Sequence, residues 1–384
     1  MELSQLSEST SAALHVGEAL RRCREVAVGA GVPGLVLTSP GAVAWATGGV
    51  NVPIDRAAGT DVVWLAIGPH RASLLTTNVE APRIAREHCP GDLGLDLTVV
   101  PWFDATATVR AAADVLAAST EQLGSDGHAG FGVDLSVALT QSRLALDVWE
   151  RDRIRELGLD ATHAVQDALR QWVPGATDRS IAARVVGALE GVGAHAPVLL
   201  VGGDERLRSY RHPVATGQPI HHTVMAVLVA TRHGQHVALT RYVSSRSVDT
   251  ALATGLDATR RVHRRALAAC RPGAMVGQVV TDLAAAYADV GAEGAWQQHY
   301  QGGPIGYAQR EFEIAPGQTT SPWWSTVLSA GSAVAWNPSL PGGAKDEDTY
   351  LVSEGEPELI TCTADWPLAD EQRPVRPAVL VTGS

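Results

Sequence analysis

Residues 224–243 read VMAVLVATRHGQHVALTRYV, two apolar runs rich in β-branched side chains joined at His233-Gly234-Gln235. That is the pattern of a β-hairpin, because the strands want branched residues and glycine accepts the positive φ that a tight turn demands. Two later stretches belong with it: HYQGGPIGYAQRE at 299–311 and WNPSLPGGAKDEDT at 336–349. Each combines a glycine-rich segment with charged or imidazole side chains, the composition of loops and short strands that line a site.

Outward from the hairpin, the spacing predicts helices over 178–191, 250–270 and 276–290, a strand over 197–202, and short strands through the glycine-rich segments to the C-terminus. Helices followed by strands, without strict alternation, indicate an α+β domain. The first 140 residues read differently. Helical patterns near 11–29, 79–88 and 106–118 interleave with short apolar runs such as GLVLTS, AVAWAT, DVVWLAIG and ASLLTT, the pattern of an α/β layer structure. A charged amphipathic segment over 149–172, ended by Pro174-Gly175, opens the second part. Two domains are therefore expected, 1–147 and 148–384, and a chain of 384 residues is long enough for each to bury its own core.

Composition narrows the function classes. A formal charge of −11 argues against a nucleic-acid partner, which would want a basic face. The apolar runs fall short of a membrane span, and the N-terminal MELSQLSESTSAALHV lacks the charged and apolar regions of a secretory signal, so a cytoplasmic protein is expected. Cys23, Cys89, Cys270 and Cys362 are scattered in no metal-binding or disulfide rhythm. Lys345 is the only lysine, which compositional bias explains. Neither a phosphate-binding GxxxxGK[ST] loop nor GxGxxG, HExxH or GxSxG occurs, so nucleotide-dependent and common serine-hydrolase plans lose weight.

Taken together, TSPGAVAWATGG in the first domain, DVWERDRIRELGLDATHAV at the start of the second, HYQGGPIGYAQRE and DEDTYLVSEGEPELIT resemble the creatinase/aminopeptidase P/Xaa-Pro dipeptidase (M24) family. The resemblance covers nearly the whole chain. It implies an α/β N-terminal domain, whose TSPGAVAWATGG segment is similar to the family's strand-turn-strand, followed by a pita-bread α+β catalytic domain. It also implies a homodimer in which the small lobe of one chain borders the partner's site, with a residue such as Arg56 reaching across. Metal-dependent members of the family hold two divalent ions on two hairpin aspartates, a histidine and two glutamates, and the ions lower the pKa of a bridging water. By motif matching those positions fall here on Val227 and Ala238, eleven residues apart, on Gly303, on Asn337 and on Glu347. Only Glu347 keeps a carboxylate, so no metal and no other cofactor is expected.

Creatinase is the relevant relative, because it resembles this chain in lacking the metals and works through a histidine. The matching upstream segment, SYRHPVATGQPIHH, offers His212 as general acid/base, with His221 and His222 as rivals. Imidazole suits the task because it titrates near neutrality without a metal. His299 is expected to face the pocket, and Glu347 to act as base or to accept a substrate cation. Arg310-Glu311 stands where the family has His-Glu, and a guanidinium there would clamp an anionic group through paired hydrogen bonds. Arg241 is a further substrate-binding candidate, although an ion pair is its alternative role. Trp336 beside Asn337 is expected to shape an apolar wall, while Trp323 and Trp324 fit core filling.

These residues lead to a metal-independent enzyme of creatinase type acting on a small, anionic, polar substrate at a C–N bond. Hydrolysis, elimination and ring closure all remain open, and a specialised biosynthetic pathway would suit so rebuilt a site. The alternatives are a catalytically silent homologue that serves as a binding or partner subunit, and an ordinary metal-dependent Xaa-Pro peptidase.

Overall fold

In the computed structural model, which describes residues 2–50, 54, 56 and 62–383, the chain divides into two compact units, Met1–Arg143 and Leu144–Ser384. The first is built on a six-stranded mixed sheet of β1 (Leu35–Leu37), β2 (Val63–Ile67), β3 (Ala72–Thr77), β4 (Asp96–Val100), β5 (Gly124–Ser125) and β6 (Val133–Asp134), in the order β4-β3-β2-β1-β5-β6. Helices interleave with these strands, so the unit is α/β as its sequence suggests. One expectation is corrected. AVAWAT is not a strand but the greater part of a helix, Pro40–Ala46. Pro40 at its first turn has the fixed φ that starts a helix, and Thr47 closes it by donating its hydroxyl to the Val43 carbonyl at 2.6 Å.

The second unit is α+β. Strands β7 (His195–Gly203), β8 (Thr223–Arg232), β9 (Gln235–Ser244) and β16 (Leu380–Val381) form one sheet in the order β16-β9-β8-β7. A second sheet joins β10 (Gly302–Ile305), β11 (Ala333–Trp336), β14 (Asp348–Leu351) and β15 (Glu358–Leu359), and β12 (Ser339–Leu340) pairs with β13 (Ala344–Lys345). The hairpin lies where its pattern put it. His233 and Gly234 both take positive φ, 53° and 80°, which matches the turn to the right-handed twist of the strands.

The sheets meet edge to edge along β9. Its Thr240 N–H donates to the Glu347 carbonyl at 2.9 Å, and its Ala238 N–H to the Thr349 hydroxyl at 2.8 Å. This seam brings all three diagnostic stretches together. Behind it, helix Val148–Arg170 lies so close to the second unit's C-terminal segment that a Cβ on Gly158 would stand 2.3 Å from the Ile360 carbonyl oxygen. Gly158→Ala is therefore expected to lower stability by about 1–3 kcal/mol, the usual cost of overpacking, and thermal unfolding checks it.

Candidate active site

The segment Lys345-Asp346-Glu347-Asp348 sorts its side chains by alternation. Asp346 and Asp348 turn into a buried ion network, in which Arg376 donates to Asp346 at 2.7 Å and to Asp348 at 2.9 Å. Burial opposes ionisation of Asp346, but Arg376 and His263 hold its carboxyl well below the usual range. His263 gives a ring nitrogen to Asp346 at 3.0 Å, and burial pushes its imidazole down to about 4. Lys345 and Glu347 point the other way, into a cavity of about 180 Å³.

Four apolar side chains on adjacent strands line one wall of that cavity: Val198 and Leu200 of β7, and Val227 and Val229 of β8. Their register pairs Val198 with Val229 and Leu200 with Val227, so all four share one face. The same cavity is also lined by His212, His299, Arg310, Glu313, Asn337, Lys345 and Glu347. The buried Glu347 carboxylate accepts from Arg310 at 3.0 Å, from Asn337 at 3.2 Å and from the Thr240 hydroxyl at 3.4 Å. Asn337 is buried too, and its Oδ1 has no partner.

The two imidazoles of His212 and His299 lie with ring centroids 5.4 Å apart. Burial lowers both, His299 to about 2, and the Lys345 cation adds to the effect. Both rings are thus neutral near pH 7, and His212, at the cavity mouth, is the better proton acceptor of the two. His299 faces Lys345, with Nε2 at 3.4 Å from Nζ. Burial pulls the Lys345 ammonium below its ordinary range; Glu347 opposes that, and Arg310 and Arg211 reinforce it. His212 and His299 also border an adjoining open cavity of about 540 Å³, through which a ligand would enter.

The structure gathers most of the sequence candidates but not all. Arg241 is not a substrate contact: one residue after Thr240 it occupies the opposite face of β9, fully buried, and pairs with Asp348 at 2.8 Å. Trp336 is likewise corrected from cavity wall to core, since its indole N–H donates to Cys270 Sγ at 3.2 Å within the cluster that also holds Leu283 and Tyr287. Glu311 lines none of this cavity and accepts from the Tyr307 N–H of its own loop at 2.7 Å. His221 and His222 are exposed, with their backbone N–H groups donating to Asp204. Trp323 stacks on Phe312 at 4.5 Å as core filling. Arg56 is exposed at a turn of the first unit.

Sequence reading missed two cations. Arg211 donates to Ser339 Oγ and to Gln298 Oε1, each at 2.6 Å, so its charge meets only neutral acceptors there. Lys345 was set aside as compositional bias. Its being the only lysine in a chain rich in arginine was the available signal.

A profile of Metallopeptidase family M24 matches residues 152–354, and the chain belongs to that family. Similar solved structures include a dipeptidase PepE from Mycobacterium ulcerans, 20% identical over 97% of this chain and 99% of that one, with a TM-score of 0.75. The Xaa-Pro dipeptidase from Bacillus anthracis is 18% identical over 95% and 99%, TM-score 0.69. The N-terminal domain of FACT complex subunit SPT16 from Cicer arietinum shares the fold at 10% identity, over 92% and 96%, TM-score 0.65. No curated protein matches by sequence.

The family name implies divalent ions, and the donors at this cavity do not fit them. Among the described residues of the second unit, no three His, Cys, Asp or Glu ligand atoms lie within 4.8 Å of one another. Of the two carboxylates that line the cavity, Glu347 is already held by Arg310 and Asn337 and Glu313 stands alone, while the valines offer no lone pairs. Two dications would also have to sit beside Lys345 and Arg310.

Proposed function

We propose that this chain is a metal-independent enzyme of the M24 fold that binds a small anionic, polar substrate and moves a proton at a C–N bond. The observation that carries the reading is the cavity wall of Val198, Leu200, Val227 and Val229 facing two neutral imidazoles. A metal-free site needs a proton carrier that works near neutrality, and imidazole is the side chain suited to it. His212, at the mouth, takes the substrate proton. His299 stands behind it. Glu347, with three donors on its carboxylate, fixes the positions of Arg310 and Asn337 and is a positioning residue on this reading. Because Arg310 is engaged with Glu347, the anionic group falls mainly to Arg211, whose partners are neutral. Hydrolysis, elimination and ring closure would all use this proton transfer.

The reading takes the protein as a homodimer working on a small molecule and not on nucleic acid; no helix among the described residues is long and apolar enough to cross a membrane. The test has two arms. Xaa-Pro dipeptides with added manganese or cobalt are expected to remain uncleaved. A panel of small carboxylates and phosphates is expected to raise the melting temperature, since a ligand of the native state stabilises it by mass action, and Arg211→Ala to abolish that shift. Metal-stimulated cleavage would overturn the proposal. The likeness to the SPT16 domain, described as part of a complex, favours a second reading as a silent partner subunit. In that case no small anion shifts the melting temperature.

A further inference from the structure

The site contains a side chain that acid/base chemistry does not require. Lys345, the only lysine of the chain, is buried, yet its side chain borders the same cavity as the valine wall. Buried lysines almost always meet a carboxylate. This one has His299 Nε2 at 3.4 Å and, among the described residues, no carboxylate oxygen within ion-pair distance. The nearest candidate, Glu347, spends its oxygens on Arg310, Asn337 and Thr240. A buried amine beside apolar side chains and other cations, with a base in reach, is the arrangement in which lysine serves as a nucleophile toward carbonyl carbon.

We infer that Lys345 is a covalent anchor: its Nζ forms a Schiff base with a small aldehyde or ketone that carries an anionic group, seated against Val198, Leu200, Val227 and Val229. Nζ passes a proton by way of His299 Nε2 to the solvent of the adjoining cavity and bonds to the carbonyl carbon, while the C=O π electrons move to oxygen, which takes a second proton from the nitrogen. The carbinolamine hydroxyl then leaves as water with a proton returned along the same route. Of the three ammonium protons, two depart in that water and one stays on the iminium nitrogen, so no oxidant or reductant is needed. Arg211, which borders a second cavity together with Lys345, supplies the charge for the anionic end. The unpartnered Asn337 Oδ1 accepts from a hydroxyl or N–H of the bound molecule.

The absence of any other lysine makes the test clean, because the only competing amine is the chain terminus. The full-length protein is incubated with glyoxylate as the carbonyl probe and sodium cyanoborohydride, which reduces an iminium to a stable secondary amine, and peptides are mapped by mass spectrometry. The peptide containing Lys345 is expected to gain one carboxymethyl group at least about tenfold faster in the native protein than in the urea-unfolded chain, because only the native site supplies the base and the desolvated amine. His299→Gln is expected to slow that labelling toward the unfolded rate, and Lys345→Arg to abolish it at an unchanged melting temperature. Labelling confined to the terminal amine, or no faster in the native than in the unfolded chain, would overturn the assignment. The trap needs no turnover. Its failure would therefore leave the acid/base proposal standing, and loss of the anion-induced thermal shift would leave the covalent anchor standing.

Discussion

Lowering the pH from 7.5 to 5 is expected to strip about 4 kcal/mol from the stability of the second unit, through two histidines that the native state keeps neutral. His263 is fully buried with its pKa pushed down to about 4 by burial first and Arg376 second, and His299 is pushed to about 2 by burial and Lys345. In the unfolded chain both imidazoles take up protons near pH 6.5, which the native state refuses. The unfolded state therefore binds more protons across this window, and stability falls as the pH falls; each residue contributes about 2 kcal/mol. His212 adds little because it is exposed at the cavity mouth. Asp346, held ionised by Arg376 and His263 against its burial, does not titrate in the window, and Asp348, pushed up by burial, acts with the opposite sign closer to the carboxylate range. Urea midpoints followed by tryptophan fluorescence at intervals of pH check the slope. His299→Gln should remove about half of it. A flat profile would mean that these rings are protonated in the native state, and the neutral proton acceptor assumed for the site would go with them.

What the sequence made legible followed from periodicity, and what it concealed followed from phase. The hairpin could be located because two runs of alternating and branched apolar residues flank a His-Gly turn. Asn337 and Glu347 could be assigned to the cavity through the family's motif order. Arg241 and Trp336 could not be placed, because each lies one residue from a neighbour that serves the site, Thr240 bonded to Glu347 and Asn337 lining the cavity, and a shift of one along a strand sends the side chain to the opposite face. Only the seam between β9 and β14 settles which face is which. AVAWAT was ambiguous for a different reason: a short apolar run carries no period, and burial of the helix Pro40–Ala46 decided between helix and strand. Arg211 gave no sequence signal, since its importance lies in having neutral partners.

Restoring carboxylates to the valine-walled cavity should turn it into a divalent-ion site, and this is the largest change expected of any variant. Val227 and Ala238 lie on facing strands, where Val227 pairs with Thr240 and Ala238 with Val229, so all four side chains share the face that Glu347 approaches. Asn337 already touches the Glu347 carboxylate at 3.2 Å. A variant combining Val227→Asp, Ala238→Asp, Asn337→Glu and Arg310→Gln would add three carboxylates beside Glu347 and remove the guanidinium that now occupies it. Without metal it should be less stable than the parent, because like charges crowd a buried space and cannot all be solvated. Manganese should reverse that loss, by about 2.7 kcal/mol when the free ion stands 100-fold above its dissociation constant, while the parent's melting temperature stays unchanged across the same titration. Calorimetry on the two proteins reads both effects. If the parent itself bound manganese tightly, or if the variant were destabilised and not rescued, these positions would not be the ones at which the fold holds its ions. The argument from Val227, Ala238 and Asn337 to metal-free chemistry would then lose its footing, whereas the trapping experiment on Lys345 would be untouched.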